Sequence, residues 1–154
     1  MLDRPEDDSG KRILRMRVRF DYKGRLKNNR TFFKSKGVEQ VVEQVREHQA
    51  ALLRNVPVQG IKIEDIDMSC DVYTVYDEFG GSIMGYAPVV ITFRADSLED
   101  AVHFIMKEEF RKIEVLEPDN ISLSKIDIER LLFKVNEELK SFKAYMEKKM
   151  EFWK

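Results

Sequence analysis

The sequence predicts an α+β protein: a ferredoxin-like βαββαβ antiparallel sheet with two helices on one face, followed by a long C-terminal amphipathic helix. Three observations predict it. Stretches with apolar residues at every second position and stretches with helical spacing follow one another in the order strand, helix, strand, strand, helix, strand. Both connections that contain a helix are long enough for right-handed crossovers. The C-terminal segment repeats apolar residues at alternating steps of four and three.

Length and composition fit one domain with a sizeable core. The chain has 154 residues, of which 43% are hydrophobic and 36% are charged. We expect a disordered acidic tail over residues 1–10, the ferredoxin-like domain over residues 11–122, and a helix for packing or oligomerisation over residues 123–154.

The single cysteine and the hydropathy pattern indicate the cellular compartment of the protein. Cys70 has no second cysteine with which to close an internal disulfide, which fits a reducing compartment. The N-terminal residues are acidic and polar, unlike a signal or transit peptide. No apolar run approaches the length of a membrane span. We therefore expect a cytoplasmic protein without membrane contact.

The first strand and the first helix follow from two clear periodicities. From Leu14 to Tyr22, apolar residues alternate with Arg15, Arg17 and Arg19, as in a strand buried on one face. A helical pattern begins at Gly37. Its apolar stripe comprises Val38, Val41, Val42, Val45, Leu52 and Leu53.

A hairpin of two strands is predicted next. One strand runs from about Ile66 to Asp77, with Cys70 on its apolar face as a buried, inert thiol. The segment DEFGG makes a turn. The segment YAPVVITFRA returns as a strand whose Val89, Ile91 and Phe93 face one side.

Two serines mark the starts of the remaining helices. Ser97 can cap the helix that follows it, and Ser124 can cap the long helix that begins at about Lys125. The short segment KIEVLE between these helices is predicted to form the last strand.

In the predicted topology both crossover helices cover one face of the sheet and leave the other face open. An apolar patch lies at the hairpin end of that open face and is formed by Tyr73, Val75, Met84 and Tyr86. Exposed apolar patches of this kind mark an interface. The C-terminal helix is the expected cover.

The C-terminal helix carries a heptad seam formed by Ile128, Leu132, Val135, Leu139, Phe142 and Met146, and resumed at Trp153. Its thirty or so residues would span about 45 Å, longer than a sheet of this size needs as a lid. We therefore expect part of the helix to pack on a second copy of the chain or on another helical protein.

Charge is divided unevenly along the chain. Residues 11–36 carry eleven Lys and Arg and one acid, a net charge of +10, so the remainder carries −11 of the total of −1. This segment could bind a polyanion such as nucleic acid. The candidate anion-binding residues are Arg15, Arg17, Arg19, Lys23, Arg25, Lys27, Arg30, Lys34 and Lys36. The alternative is that the arginines pair with acids of the C-terminal helix, such as Glu129, Glu137 and Glu138, or of a partner.

The sequence offers no catalytic residues, metal ligands or cofactor motif. Asp67 and Asp71 are about 13 Å apart along an extended strand, too far to share one metal ion. His103 lies between Glu99 and Lys107 at helical spacing, where surface ion pairing suffices. No nucleophile–base pair and no phosphate loop is visible.

The expected function is therefore a non-catalytic assembly module that acts as a homo-oligomer through the open sheet face and the C-terminal helix. Nucleic-acid binding through residues 11–36 is the alternative, and a small-ligand regulatory domain with its pocket between subunits is a third. Topology alone does not choose among them.

Overall fold

The computed structural model describes residues 13–26, 34–77 and 81–152. The predicted tail, Lys27, Arg30 and Trp153 lie outside these ranges, as do the side chains of Lys34 and Lys36. The division of the chain into a tail, a domain and a separate helix stays a prediction.

The described residues form an α+β fold with a five-stranded antiparallel sheet and three helices. The strands are β1 (Leu14–Arg25), β2 (Ile61–Asp67), β3 (Tyr73–Asp77), β4 (Ser82–Ala95) and β5 (Phe110–Glu117), and the helices are α1 (Lys34–Asn55), α2 (Leu98–Ile105) and α3 (Lys125–Phe152). The strand order is β2-β4-β1-β5, and β3 also pairs with β4.

The core lies between the sheet and the first two helices. The predicted alternation in β1 is confirmed, because Leu14, Met16, Val18, Phe20 and Tyr22 are all buried. Phe104 of α2 packs edge-on against Phe20 and Phe93, with ring centroids 6.0 and 4.8 Å away. Val45 and Leu53 of α1 pack against the same cluster. Both helices therefore cover one face, and the opposite face of the sheet carries the arginines.

The strand expected over residues 66–77 is instead two strands, β2 and β3, that pair with different parts of β4. Pro88 of β4 lies opposite the interruption. The Asp21 amide points toward β5, where it donates to the Glu109 carbonyl. Asp21 lies opposite Pro88 in the register of β1 and β4. Because opposite residues of an antiparallel pair direct their backbone groups either both toward or both away from each other, the Pro88 backbone groups point away from β1, toward β2 and β3. Proline has no N–H to donate there, which explains the interruption.

The Arg46 guanidinium of α1 satisfies the backbone at the interruption. Its Nη1 donates to the carbonyls of Cys70, at 2.7 Å, and of Pro88, at 3.3 Å, while Nη2 pairs with Glu43. The prediction that Cys70 is a buried strand residue is wrong, because Cys70 lies in the connection between β2 and β3 and is exposed.

Helix α3 packs against α2, on the helix-covered side of the sheet. The expectation that it covers the open face is therefore wrong. The predicted caps are confirmed, since Ser97 and Ser124 accept hydrogen bonds from the amides of Asp100 and Asp127, both at 3.1 Å. Among the described residues, no helix is both long and apolar enough to cross a membrane.

Candidate functional site

The outward side of α3 exposes the N-terminal part of the predicted heptad seam. The exposed fractions are 45% for Ile128, 65% for Leu132, 41% for Val135 and 61% for Leu139. The next two seam residues, Phe142 and Met146, are half-buried. The C-terminal end of the seam therefore packs partly against the rest of the same chain. The four residues before it form one exposed apolar stripe, called the α3 seam below.

Polar contacts hold α3 on α2 along a different side of the helix. The His103 ring contacts the Glu138 carboxylate, and Lys149 reaches Glu108 at 3.1 Å. The expected pairing of His103 with Glu99 and Lys107 is replaced by this contact. Burial raises the pKa of Glu138, but hydrogen bonds to His103 and Lys134 outweigh it, so the pKa is lowered.

A small cavity lies between α3 and the turn after α2. Its volume is about 290 Å³, and its lining includes Lys107, Glu109, Glu138, Phe142 and Tyr145. Burial lowers the pKa of Lys107, whose ammonium lies 5.0 Å from the centroid of the Phe20 ring. Ligand pockets usually enclose about 300 to 1,000 Å³, so this cavity lies at the lower end of that range, whereas the predicted ligand pocket would lie between subunits.

The apolar patch predicted on the open face is present as a pair of stacked tyrosines with aliphatic neighbours. Tyr73 and Tyr86 lie opposite each other on β3 and β4, with ring centroids 5.1 Å apart and an interplanar angle of 16°. Val75 and Met84 form the next cross-strand pair. Tyr73 and Val75 are exposed, whereas Met84 and Tyr86 are half-buried.

Asp21 joins this patch to the arginines and was not among the site residues predicted from the sequence. Its carboxylate is 2% exposed and accepts from the Tyr73 hydroxyl at 2.6 Å and from Arg19 at 2.8 Å. Burial raises the pKa of Asp21, but these hydrogen bonds and the nearby Arg111 outweigh it and lower the pKa. Its signal in the sequence is that it is the one acid in a basic strand.

The arginine row of β1 is neutralised by acids of the sheet. Arg15 donates to Glu64 of β2 at 2.8 Å, and this hydrogen bond raises the pKa of Arg15. Arg17 lies 3.5 Å from Glu114 of β5. The expected partners on the C-terminal helix, Glu129, Glu137 and Glu138, do not form these pairs. The sequence did not indicate these partners, because the predicted second strand began at about Ile66 and excluded Glu64, and because Glu114 is distant in the chain.

The rest of the candidate anion-binding set is only partly described. Lys23 and Arg25 are exposed at the end of β1. The remaining four members lie in or beside residues 27–33, outside the described side chains. No group of three or more His, Cys, Asp or Glu within the described ranges is arranged to hold a metal ion.

Comparison of the chain with protein-family models, with curated proteins and with solved structures gave no match.

Proposed function

We propose that this protein is a non-catalytic assembly module that acts as a homo-oligomer. The observation that carries the proposal is the α3 seam, which spans three helical steps of four, three and four residues and is exposed along its length. Apolar residues at this spacing bury their surface against another helix. Four such side chains left in water are an unfavourable arrangement unless a partner covers them.

Charge complementarity favours a second copy of the chain as that partner. By helical spacing, Glu129 flanks the seam near its N-terminal end, and Lys140 and Lys143 flank it near its C-terminal end. Two copies of α3 running in opposite directions would set the acid of each against the lysines of the other. Opposite charges at flanking positions favour one helix orientation over the other.

The open-face patch around Tyr73 and Val75 is the second part of the proposed interface. It combines exposed aromatic and aliphatic surface with a polar edge at Arg19, whose guanidinium pairs with the buried Asp21. Interfaces typically have this apolar centre and polar edge.

We also propose that the fold is ferredoxin-like and the location cytoplasmic. Counting β2 and β3 as one edge strand interrupted opposite Pro88 gives four strands in the order β5, β1, β4, then β2 with β3, which is the order expected for βαββαβ. The single cysteine supports a reducing compartment.

Polyanion binding is the less favoured alternative. Arg15, Arg17 and Arg19 each lie within 4.0 Å of a carboxylate of the sheet, so a polyanion would have to displace these pairs. Exposed ion pairs are individually weak, but the displaced acids would then repel the phosphates.

Paired charge substitutions in the α3 seam test the proposal. Leu132→Glu with Leu139→Glu puts four acids into the interface of a dimer, so we expect the native mass measured by light scattering behind a sizing column to fall to that of one chain. Because both side chains are exposed in the protomer, thermal unfolding followed by circular dichroism should remain cooperative.

The matched control is Phe133→Glu, on the same helix and 73% exposed, but outside the seam. It should leave the mass of the oligomer unchanged. The proposal fails if the wild type already has the mass of one chain, or if the seam variant and the control keep the same oligomeric mass.

A further inference from the structure

The three edge strands of the sheet differ in how their free edges are protected. Strand β2 alternates apolar residues with Lys62, Glu64, Asp65 and Asp67 and contains a register shift. Strand β5 is rich in charge and contains two shifts against β1. Charges and bulges of this kind prevent unwanted strand pairing.

Strand β3 has no bulge, and its one charged residue, Asp77, is at its end. Its sequence YTVYD is aromatic and β-branched, it pairs with β4 without a register shift, and Tyr73, Thr74, Val75 and Tyr76 are all exposed. No other strand of the described residues pairs with its outer edge. An edge of this composition is suited to accepting an additional strand.

The register shows which backbone groups point outward. The Pro88 backbone faces the β2 and β3 side of β4, and alternation along β4 gives Tyr86 and Met84 the same direction. Their partners Tyr73 and Val75 therefore direct their backbone groups inward to β4. It follows that the N–H and C=O groups of Thr74 and Tyr76 point away from the sheet and are available to a new strand.

The residues around this edge indicate which charge an added strand should carry. A groove of about 480 Å³ runs between Val72, next to β3, and the acidic side of α1, where it is lined by Glu39, Gln40, Glu43, Gln44 and Glu47. A second copy of β3 would bring Asp71 and another acidic α1 toward this groove. A strand that carries cations on its α1-facing side would instead meet opposite charge.

We infer that the outer edge of β3 is a strand-addition site for an extended basic segment of a partner protein. The segment hydrogen-bonds to the backbone of Thr74 and Tyr76, directs alternate Lys or Arg side chains toward Glu39 and Glu47, and directs the intervening apolar side chains toward Val75. The backbone contacts supply affinity, and the acidic groove selects the basic segment. This site is separate from the α3 seam, although its apolar contact, Val75, also belongs to the open-face patch.

The test uses two capped, fluorescently labelled synthetic peptides, KVKVKVK and EVEVEVE. The 154-residue chain is titrated into each peptide at low salt, and the fluorescence anisotropy of the peptide is measured. We expect the basic peptide to bind, with affinity that falls as salt is added, and the acidic peptide not to bind. Glu39→Gln with Glu47→Gln should weaken binding and flatten its dependence on salt.

Thr74→Pro tests the backbone contact. Proline removes the outward N–H but leaves the inward groups of Tyr73 and Val75 in place, and an edge strand tolerates it where the N–H faces outward. We expect affinity for KVKVKVK to fall about tenfold, the effect of roughly one lost hydrogen bond. Thr74→Val, which keeps the N–H, is the matched control and should bind within about twofold of the wild type.

Several results would overturn the inference. These are no binding of KVKVKVK, equal binding of EVEVEVE, or equal affinity of the folded Thr74→Pro and Thr74→Val variants. A change of native mass on Thr74→Pro without peptide would assign the edge to a second copy instead. The Leu132→Glu, Leu139→Glu variant should bind KVKVKVK normally, so failure of the α3 oligomer and failure of this site are distinguishable.

Discussion

At the scale of single residues, Asp21 matters most to the open face. Four strands contribute to its surroundings: Arg19 from β1, Tyr73 from β3, Tyr86 from β4 through its stacking on Tyr73, and Arg111 from β5, 3.7 Å from the carboxylate. The buried charge is acceptable because both carboxylate oxygens accept hydrogen bonds, from Arg19 and Tyr73, and Arg111 lies nearby. Asp21 thus fixes the patch that we assign to the interface.

Replacing Asp21 tests this structural role. Asp21→Asn should lower the free energy of unfolding at pH 7 by about 2 kcal/mol, because hydrogen bonds to a charged group are lost. The folded-state pKa of Asp21 is lowered, so its contribution is complete above the usual aspartate pKa, about 3.9, and is lost as the pH falls through the lower folded value. Urea unfolding at several pH values measures this.

The difference between wild type and Asp21→Asn should therefore shrink at acidic pH. Asp71→Asn, at an exposed position, is the control and should change the unfolding free energy little. Equal effects of the two substitutions at pH 7 would contradict the role given to Asp21.

At the scale of elements, the sequence predicted which helices and strands form better than it predicted how they pair and pack. Alternation in β1 and the caps Ser97 and Ser124 depend on local periodicity and local hydrogen bonds, and these predictions are confirmed. The interruption between β2 and β3 depends on the direction of the Pro88 backbone, which only the register with β1 defines. Local pattern therefore could not separate one long strand from two short ones.

Arg46 hydrogen-bonds to the backbone at the interruption between β2 and β3, where strand pairing is absent, so its replacement should destabilise the fold. Arg46→Met should leave the carbonyls of Cys70 and Pro88 without their donor and lower the free energy of unfolding by about 2 kcal/mol. Denaturant unfolding measures the loss. Arg54→Met, an exposed position on the same helix, should have less than half the effect, and equal losses would argue against this role.

At the scale of the whole molecule, the uneven charge of the chain is partly resolved within the sheet. The basic β1 lies beside β5, which supplies Glu114 and Glu117, and Glu64 of β2 reaches Arg15 across β4. The sequence showed the imbalance but not these partners, since they come from strands distant in the chain. The α3 seam was visible as a heptad pattern, but the packing of the other side of α3 on α2 was not.

The central claim is that copies of this chain associate, and native mass tests it most directly. Light scattering behind a sizing column at tens of micromolar should give at least twice the chain mass of 18.2 kDa, decreasing toward that value on dilution. A mass of 18.2 kDa that stays constant at every concentration would contradict the claim.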